Sequence, residues 1–171
     1  APSQKTQFKS LYDDGNIYFA IRALDTDPAK IVNRVDRRDE SDSDFVSVII
    51  DSYFDRRTAF LFQLTPAAVR GDGIVSDDGN NFEDSWDPVW YGATNIDERG
   101  WTAEMKIPLS QLRFSNDDDQ TWGLQVQRGI FRKDEWSFWQ FIPKNPPGWV
   151  SLFGQLKGIE GVMPSRRIEL M

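Results

Sequence analysis

The chain has 171 residues, no cysteine and no histidine, and 27 acidic against 20 basic residues for a net charge of −7. That balance argues against a phosphate-backbone partner, which needs a basic footprint, so no nucleic acid is expected among its ligands. The missing residue types remove disulfides, thiolate and imidazole metal ligands, histidine-ligated haem and every Ser/His or Cys/His nucleophile pair.

No apolar run approaches the ~20 residues of a membrane-spanning helix. The length suits one domain with one core. The start at Ala1-Pro2 reads as a processed or excised segment. In chain order, residues 7–12 read as a first strand, and Asp13-Asp14-Gly15-Asn16 as a hairpin turn in which Gly and Asn accept positive φ. Residues 17–24 return with Ile17, Phe19, Ile21 and Ala23 on one face. Residues 29–38 read either as a helical turn or as an irregular crossover, and the charged run 37–44 as a loop.

The apolar run 45–51 predicts a buried strand and residues 58–64 its return. Pro66 predicts an edge or bulged segment as far as Val75, and residues 76–84 a polar, mobile loop. Residues 89–96 and 101–107 form a hairpin across Asp97-Glu98-Arg99-Gly100. Its second arm alternates Trp101, Ala103, Met105 and Ile107 with polar residues until Pro108 removes a backbone donor and sends residues 109–112 into a helical turn. Residues 121–132 predict a long strand with Trp122, Leu124, Val126 and Ile130 inward, paired with residues 136–142. A proline–glycine loop (144–149) and a short strand (155–159) complete the chain. About ten short strands with turns between them and almost no helix predict an all-β, antiparallel sandwich.

The candidate chemistry is of three kinds. Catalytic carboxylate pairs can be drawn anywhere among so many acids, so none is assigned, and Glu104 is expected to pair across its strand; the chain reads as no enzyme. Hard cations want clustered oxygen ligands. Two acidic runs offer them, Asp39, Glu40, Asp42 and Asp44, and Asp72, Asp77, Asp78, Asn80, Asp84 and Asp87, as structural calcium sites or as solvated loops. Tryptophan faces suit stacking on sugar rings, with amide and guanidinium groups bonding hydroxyls. Trp101 and Trp122 sit in core alternation. Trp86, Trp90, Trp136, Trp139 and Trp149 are open to a binding or a packing role, and Arg70, Arg128, Arg132, Gln140 and Asn145 are their polar partners.

Several segments resemble the family 9 carbohydrate-binding modules: the run 11–20 (LYDDGNIYFA), Asp44–Asp51 with its alternating apolar residues, and Gly100-Trp101-Thr102-Ala103-Glu104-Met105-Lys106-Ile107-Pro108. The run 51–60, Ser85-Trp86-Asp87-Pro88-Val89-Trp90 and Leu112-Arg113-Phe114 are similar to markers of the subgroup found N-terminal to bacterial outer-membrane β-barrel proteins.

The resemblance implies a jelly-roll or immunoglobulin-like sandwich over residues 1–163 with a tail or linker at 164–171. It implies a first strand missing relative to the family, and noncatalytic binding of a xylan- or cellulose-like glycan, with Trp86, Trp90 and Trp139 nearest to the family's tryptophan clamp; joined to the residue chemistry above, the expected site is Trp86, Trp90, Trp139 and Trp149 with Arg70, Arg128 and Gln140. Calcium would be held by Asp39, Asp42, Asp44, Asp77, Asp84 and Asp87. The module would be periplasmic or outer-membrane associated, and continuous with an outer-membrane β-barrel or a catalytic module. The alternative is an interaction domain of a barrel protein without sugar binding. Relatives carry an Asn-Pro-x-Gly turn where this chain has Thr65-Pro66-Ala67-Ala68, which predicts strain if that backbone takes positive φ without glycine.

Overall fold

The computed structural model describes residues 1–39 and 42–164. Glu40 and the tail at 165–171 lie outside the described residues. Eleven strands are present among them: β1 Thr6–Tyr12, β2 Asn16–Leu24, β3 Phe45–Asp51, β4 Ala59–Leu64, β5 Arg70–Ser76, β6 Asn81–Glu83, β7 Tyr91–Asp97, β8 Gly100–Pro108, β9 Asp119–Ile130, β10 Glu135–Phe138 and β11 Gly154–Glu160. All pairings are antiparallel. One sheet has the order β1-β2-β8-β7; the other runs β10-β9-β3-β4-β5-β6, with β11 pairing the N-terminal half of β9 and β10 its C-terminal half. The protein is an all-β sandwich.

Period-2 alternation builds the interior. Ile17, Phe19, Ile21 and Ala23 of β2 and Trp101, Ala103, Met105 and Ile107 of β8 face Val46, Val48 and Ile50 of β3, Phe60, Phe62 and Leu64 of β4, and Trp122, Leu124 and Val126 of β9. Each such side chain stabilises the fold by about 1.5–3 kcal/mol on burial. The other face of β3 and β4 is covered as well: Ile49, Ala59 and Val75 pack under Val150 and Phe153 from the turn before β11. That double cover explains why β3 reads as a continuous apolar run.

The structure departs from expectation in three places. Neither Gly15 nor Asn16 takes positive φ. The first turn is held instead by the Asp13 carboxylate, which accepts from the Gly15 and Asn16 amides at 2.8 and 2.7 Å. Residues 70–76 form a regular strand rather than a bulged edge, and residues 81–83 pair with it as the true edge. The segment after β2, where a helical turn or an irregular crossover was expected, combines both: one 3-10 turn, Pro28–Lys30, in an otherwise irregular crossover. Strand β10 ends at Phe138, four residues short of the expected end.

Candidate functional site

The seven tryptophans divide sharply by environment. Trp101 and Trp122 are core, as expected. Trp90 is also fully buried, which corrects its assignment to a sugar platform. Its indole N–H donates to the Asp72 carboxylate at 2.9 Å, and Arg38 donates to the same oxygen at 2.7 Å. Burial pushes the Asp72 carboxyl up, against the Trp90 and Arg38 hydrogen bonds that favour its charged form. Arg70 is tied to this node too, donating to the Trp90 carbonyl and lying 5.9 Å from the Trp90 ring centroid. Its guanidinium fixes the start of β7.

Trp86 is half-buried against Phe60 and Phe62, with ring centroids 5.1 and 5.6 Å away. Trp149 is half-buried against Phe153 at 5.1 Å, and its amide donates to the Asp78 carboxylate at 3.0 Å. It caps the second apolar cluster. Gln140 is held by its backbone: its N–H and C=O both bond the buried Gln125 side chain, at 2.9 and 3.1 Å. None of Trp86, Trp90, Trp149, Arg70 or Gln140 meets the others in a common cleft. The expected single site is therefore dispersed, because most of its members serve packing.

The carboxylates are dispersed as well. Asp39 accepts from the Asp72 amide at 2.9 Å, and Asp44 is buried and accepts from the Phe131 amide at 3.0 Å. Asp42 lies 3.9 Å from Arg34, Asp77 pairs with Arg57 at 2.7 Å, and Asp87 pairs with Arg38 at 2.5 Å. Asp84 is exposed, and Asp78 bonds the Ser151 amide and hydroxyl, each at 2.8 Å. Among the described residues no group of three or more acidic side chains converges to hold a cation. Most of the described carboxylates in the two acidic runs neutralise arginines or accept from backbone amides.

One groove does collect predicted residues. It lies where the edge of the first sheet, β1, meets the edge of the second, β9–β10, and encloses about 720 Å³. Trp139 forms its outer wall, 44% exposed, with its ring edge-on to Phe8 at 5.3 Å and its amide bonded to the Val126 carbonyl at 2.8 Å. Thr6, Gln7 and Ser137 line it as well, and Gln4 lies buried beneath with its amide bonded to Thr26 through both Nε2 and Oε1, at 2.8 and 3.1 Å.

Arg128 lines the groove from within. It occupies an inward position of β9, in register after Leu124 and Val126, and is only 1% exposed. One amino group donates to the Leu24 carbonyl at 2.9 Å and to Lys5 and Thr6, stitching the two sheet edges together. The other lies 3.7 Å from the Asp25 carboxylate, and Nε and Nη2 have no hydrogen-bond partner among the described residues. Burial draws the guanidinium pKa down, opposed by Asp25 and Asp44. Arg132 neutralises Asp25 directly at 2.7 and 2.9 Å, so it too is structural, while Asn145 stands exposed in the proline loop.

Phe8, Gln4 and Gln7 were not singled out in the sequence. Only the inward register of Phe8 opposite Ile21 signals that it reaches the groove. A concave site with an aromatic wall, amides, hydroxyls and a buried cation is suited to a small polar ligand with an apolar face. Carboxylates that burial pushes up, Asp44, Asp51 and Asp72, do not line it.

The sandwich has solved counterparts. A family 9 carbohydrate-binding module from Caldicellulosiruptor kristjanssonii, in complex with glucose, matches 100% of this chain and 82% of its own with a TM-score of 0.65 at 16% identity. The same module with cellotriose matches 100% of this chain and 81% of its own at a TM-score of 0.66 and 16% identity. An inferred carbohydrate-binding protein from Bacteroides uniformis matches 90% of this chain and 78% of its own at a TM-score of 0.73 and 12% identity. No protein-family model matches the sequence, and neither does any curated protein. At these identities the likeness is one of fold.

Proposed function

We propose that the chain is a noncatalytic carbohydrate-binding module whose site is the groove under Trp139. The observation that carries this reading is the pairing of a half-exposed tryptophan with a polar-rimmed groove that Arg128 lines from inside. A pyranose ring would lay its C–H face on the Trp139 indole while Gln7, Thr6 and Ser137 exchange hydrogen bonds with its hydroxyls. The fold neighbours solved with glucose and cellotriose support this ligand class. A β-linked xylan- or cellulose-like glycan is the substrate the reading favours. An envelope location, beside a barrel or catalytic module, belongs to the same proposal.

Affinity electrophoresis on soluble xylan and hydroxyethylcellulose tests it. Wild-type protein is expected to be retarded by at least one polymer, and Trp139→Ala to lose most of that retardation at unchanged secondary structure. No retardation on either, or equal retardation of Trp139→Ala, refutes it. The rival reading, an interaction domain without sugar binding, draws on the packing of Trp86, Trp90 and Trp149 as scaffold.

A further inference from the structure

The Trp139 groove differs in charge from the rest of the surface. Three other hollows among the described residues each carry a carboxylate in their walls: Glu104 in the two on the outer face of the first sheet, and Asp134 in the one beside Trp136. The walls of the Trp139 groove hold none. Its charged lining residues are Lys5 and Arg128, both cations, in a chain of net charge −7. Glu135, at the start of β10, accepts from the Ser3 amide at 2.7 Å and stays outside the lining.

The buried cation is short of counter-charge. Arg128 and Arg132 share Asp25, and Arg132 takes both of its oxygens, at 2.7 and 2.9 Å. Arg128 is left 3.7 Å from Asp25, with Nε and Nη2 unbonded among the described residues. Asp44 is the other acid of this node, 4.0 Å from Arg132, and burial pushes its carboxyl up, against its charged form. Arg128 is therefore under-compensated beneath the groove, where salt screens it little. Its Nη1 donates to the Lys5 carbonyl and to the Thr6 hydroxyl oxygen, each at 3.3 Å. Because the Thr6 oxygen accepts there, its own proton is left to donate into the groove. Lys5 is exposed, and its ammonium makes no ion pair among the described residues.

We infer that the groove selects an acidic sugar, a hexuronate unit of a glycan, whose carboxylate is taken by the Lys5 ammonium and the Thr6 hydroxyl beside Arg128. The inference rests on the carbohydrate reading of this groove and adds a charge preference to it. An ionised carboxylate asks for donors alone, and donors are what Lys5 and Thr6 present. Arg128 acts from below as a positioning residue, through its charge and its bonds to Lys5 and Thr6, without touching the ligand. The protein as a whole works in the opposite direction. At a net charge of −7 it repels a polyanion, so bulk electrostatics alone would weaken binding of an acidic polymer relative to a neutral one. A preference for the acidic polymer is therefore diagnostic of a local cationic site.

The test is isothermal titration with glucuronoxylan and with the same polymer after its uronate carboxyls have been reduced to alcohols, using wild type, Lys5→Gln and Trp139→Ala. An ionic strength of about 0.01 M, with a Debye length of about 30 Å, leaves both the local attraction and the global repulsion in force. Wild type is expected to bind the native polymer about two- to fivefold more tightly than the reduced one, the value of one exposed ion pair. Lys5→Gln should lose that preference and keep its affinity for the reduced polymer, and Trp139→Ala should weaken binding of both. Equal affinity of wild type for the two polymers, tighter binding of the reduced one, or a preference that Lys5→Gln retains overturns the uronate assignment and leaves the groove standing. Binding of neither polymer, or of both with Trp139→Ala at full affinity, overturns the groove reading as well.

Discussion

Replacing Trp90 with phenylalanine separates a scaffold tryptophan from a ligand-binding one. Trp90 is wholly buried, and its indole N–H is one of two side-chain donors to the Asp72 carboxylate, itself 1% exposed. Phenylalanine removes that donor and part of the ring. Losing a hydrogen bond to a charged group costs about 1.5–3 kcal/mol. The smaller ring adds about 1 kcal/mol of cavity cost. The sum, about 3 kcal/mol, corresponds to a fall in Tm of roughly 6–12 °C for a domain of this size.

The loss should be larger near pH 7 than near pH 4. The Asp72 carboxyl is already pushed up by burial, and removing a donor to its charged form pushes it further, so the penalty falls on the ionised state. Thermal melts followed by circular dichroism at both pH values measure this. Glycan retardation of the folded variant should match wild type. A drop in Tm below about 3 °C, or lost glycan retention at unchanged Tm, refutes the assignment of Trp90 to the scaffold.

The remaining predictions concern turns, charge and metal. Ala68 has φ of 59°, where a non-glycine residue is strained by about 1–2 kcal/mol. After the greater unfolded-state freedom of glycine is subtracted, Ala68→Gly should stabilise by about 0.5–1 kcal/mol and raise Tm by a few degrees, and a lower Tm would count against the strain. Asp97, bonded to Arg22 and to the Arg99 amide, has its carboxyl held down at about 2. A depressed carboxyl contributes stability above its unfolded value of about 3.9 and loses it as pH falls toward the folded one. The Tm gap between wild type and Asp97→Asn should therefore be full at pH 5–7 and close between about pH 4 and 2; a gap independent of pH contradicts the pair. Because the acidic residues are dispersed, melts in EDTA and in excess calcium should coincide within about 1 °C; a ligand at 100 times its Kd would add about 2.7 kcal/mol, which such melts resolve.

Hairpin partners and core faces were legible where one face is wet. In β2 and β8 the alternation is strict, and every expected inward residue is buried. The stretch of β5 and β6, from Arg70 to Glu83, was harder to see because their reasons are tertiary. Asp72 breaks the apolar pattern of β5, yet it faces inward to serve Trp90 and Arg38. Phe82 of β6 sits over Gly73, so a glycine that looks like a break in a strand is the clearance for its neighbour. The anticipated turn at Thr65-Pro66-Ala67-Ala68 is the converse case. There a local rule about glycine was enough, and Ala68 takes the strained φ.

The site was less legible for a related reason. Trp90 beside Pro88 has the local signature of an exposed loop aromatic. Its burial depends on Asp72, 18 residues earlier, and on Arg38, which also holds Pro88 and Asp87. Trp136 and Trp139 share a hairpin, and the alternation rule that put them on opposite faces holds: one stands over Phe45, the other against Phe8. What the rule could not supply is that each face ends in a cavity. The groove needs the edge of β1 across the sandwich, and the cavity beside Trp136 needs Gly129, directly opposite Phe45 on the adjacent strand. Both exist because β10 is an edge strand of only four residues, which leaves its aromatic side chains without a further strand to cover them. The short edge that limits pairing with other chains thereby also leaves Trp136 and Trp139 exposed.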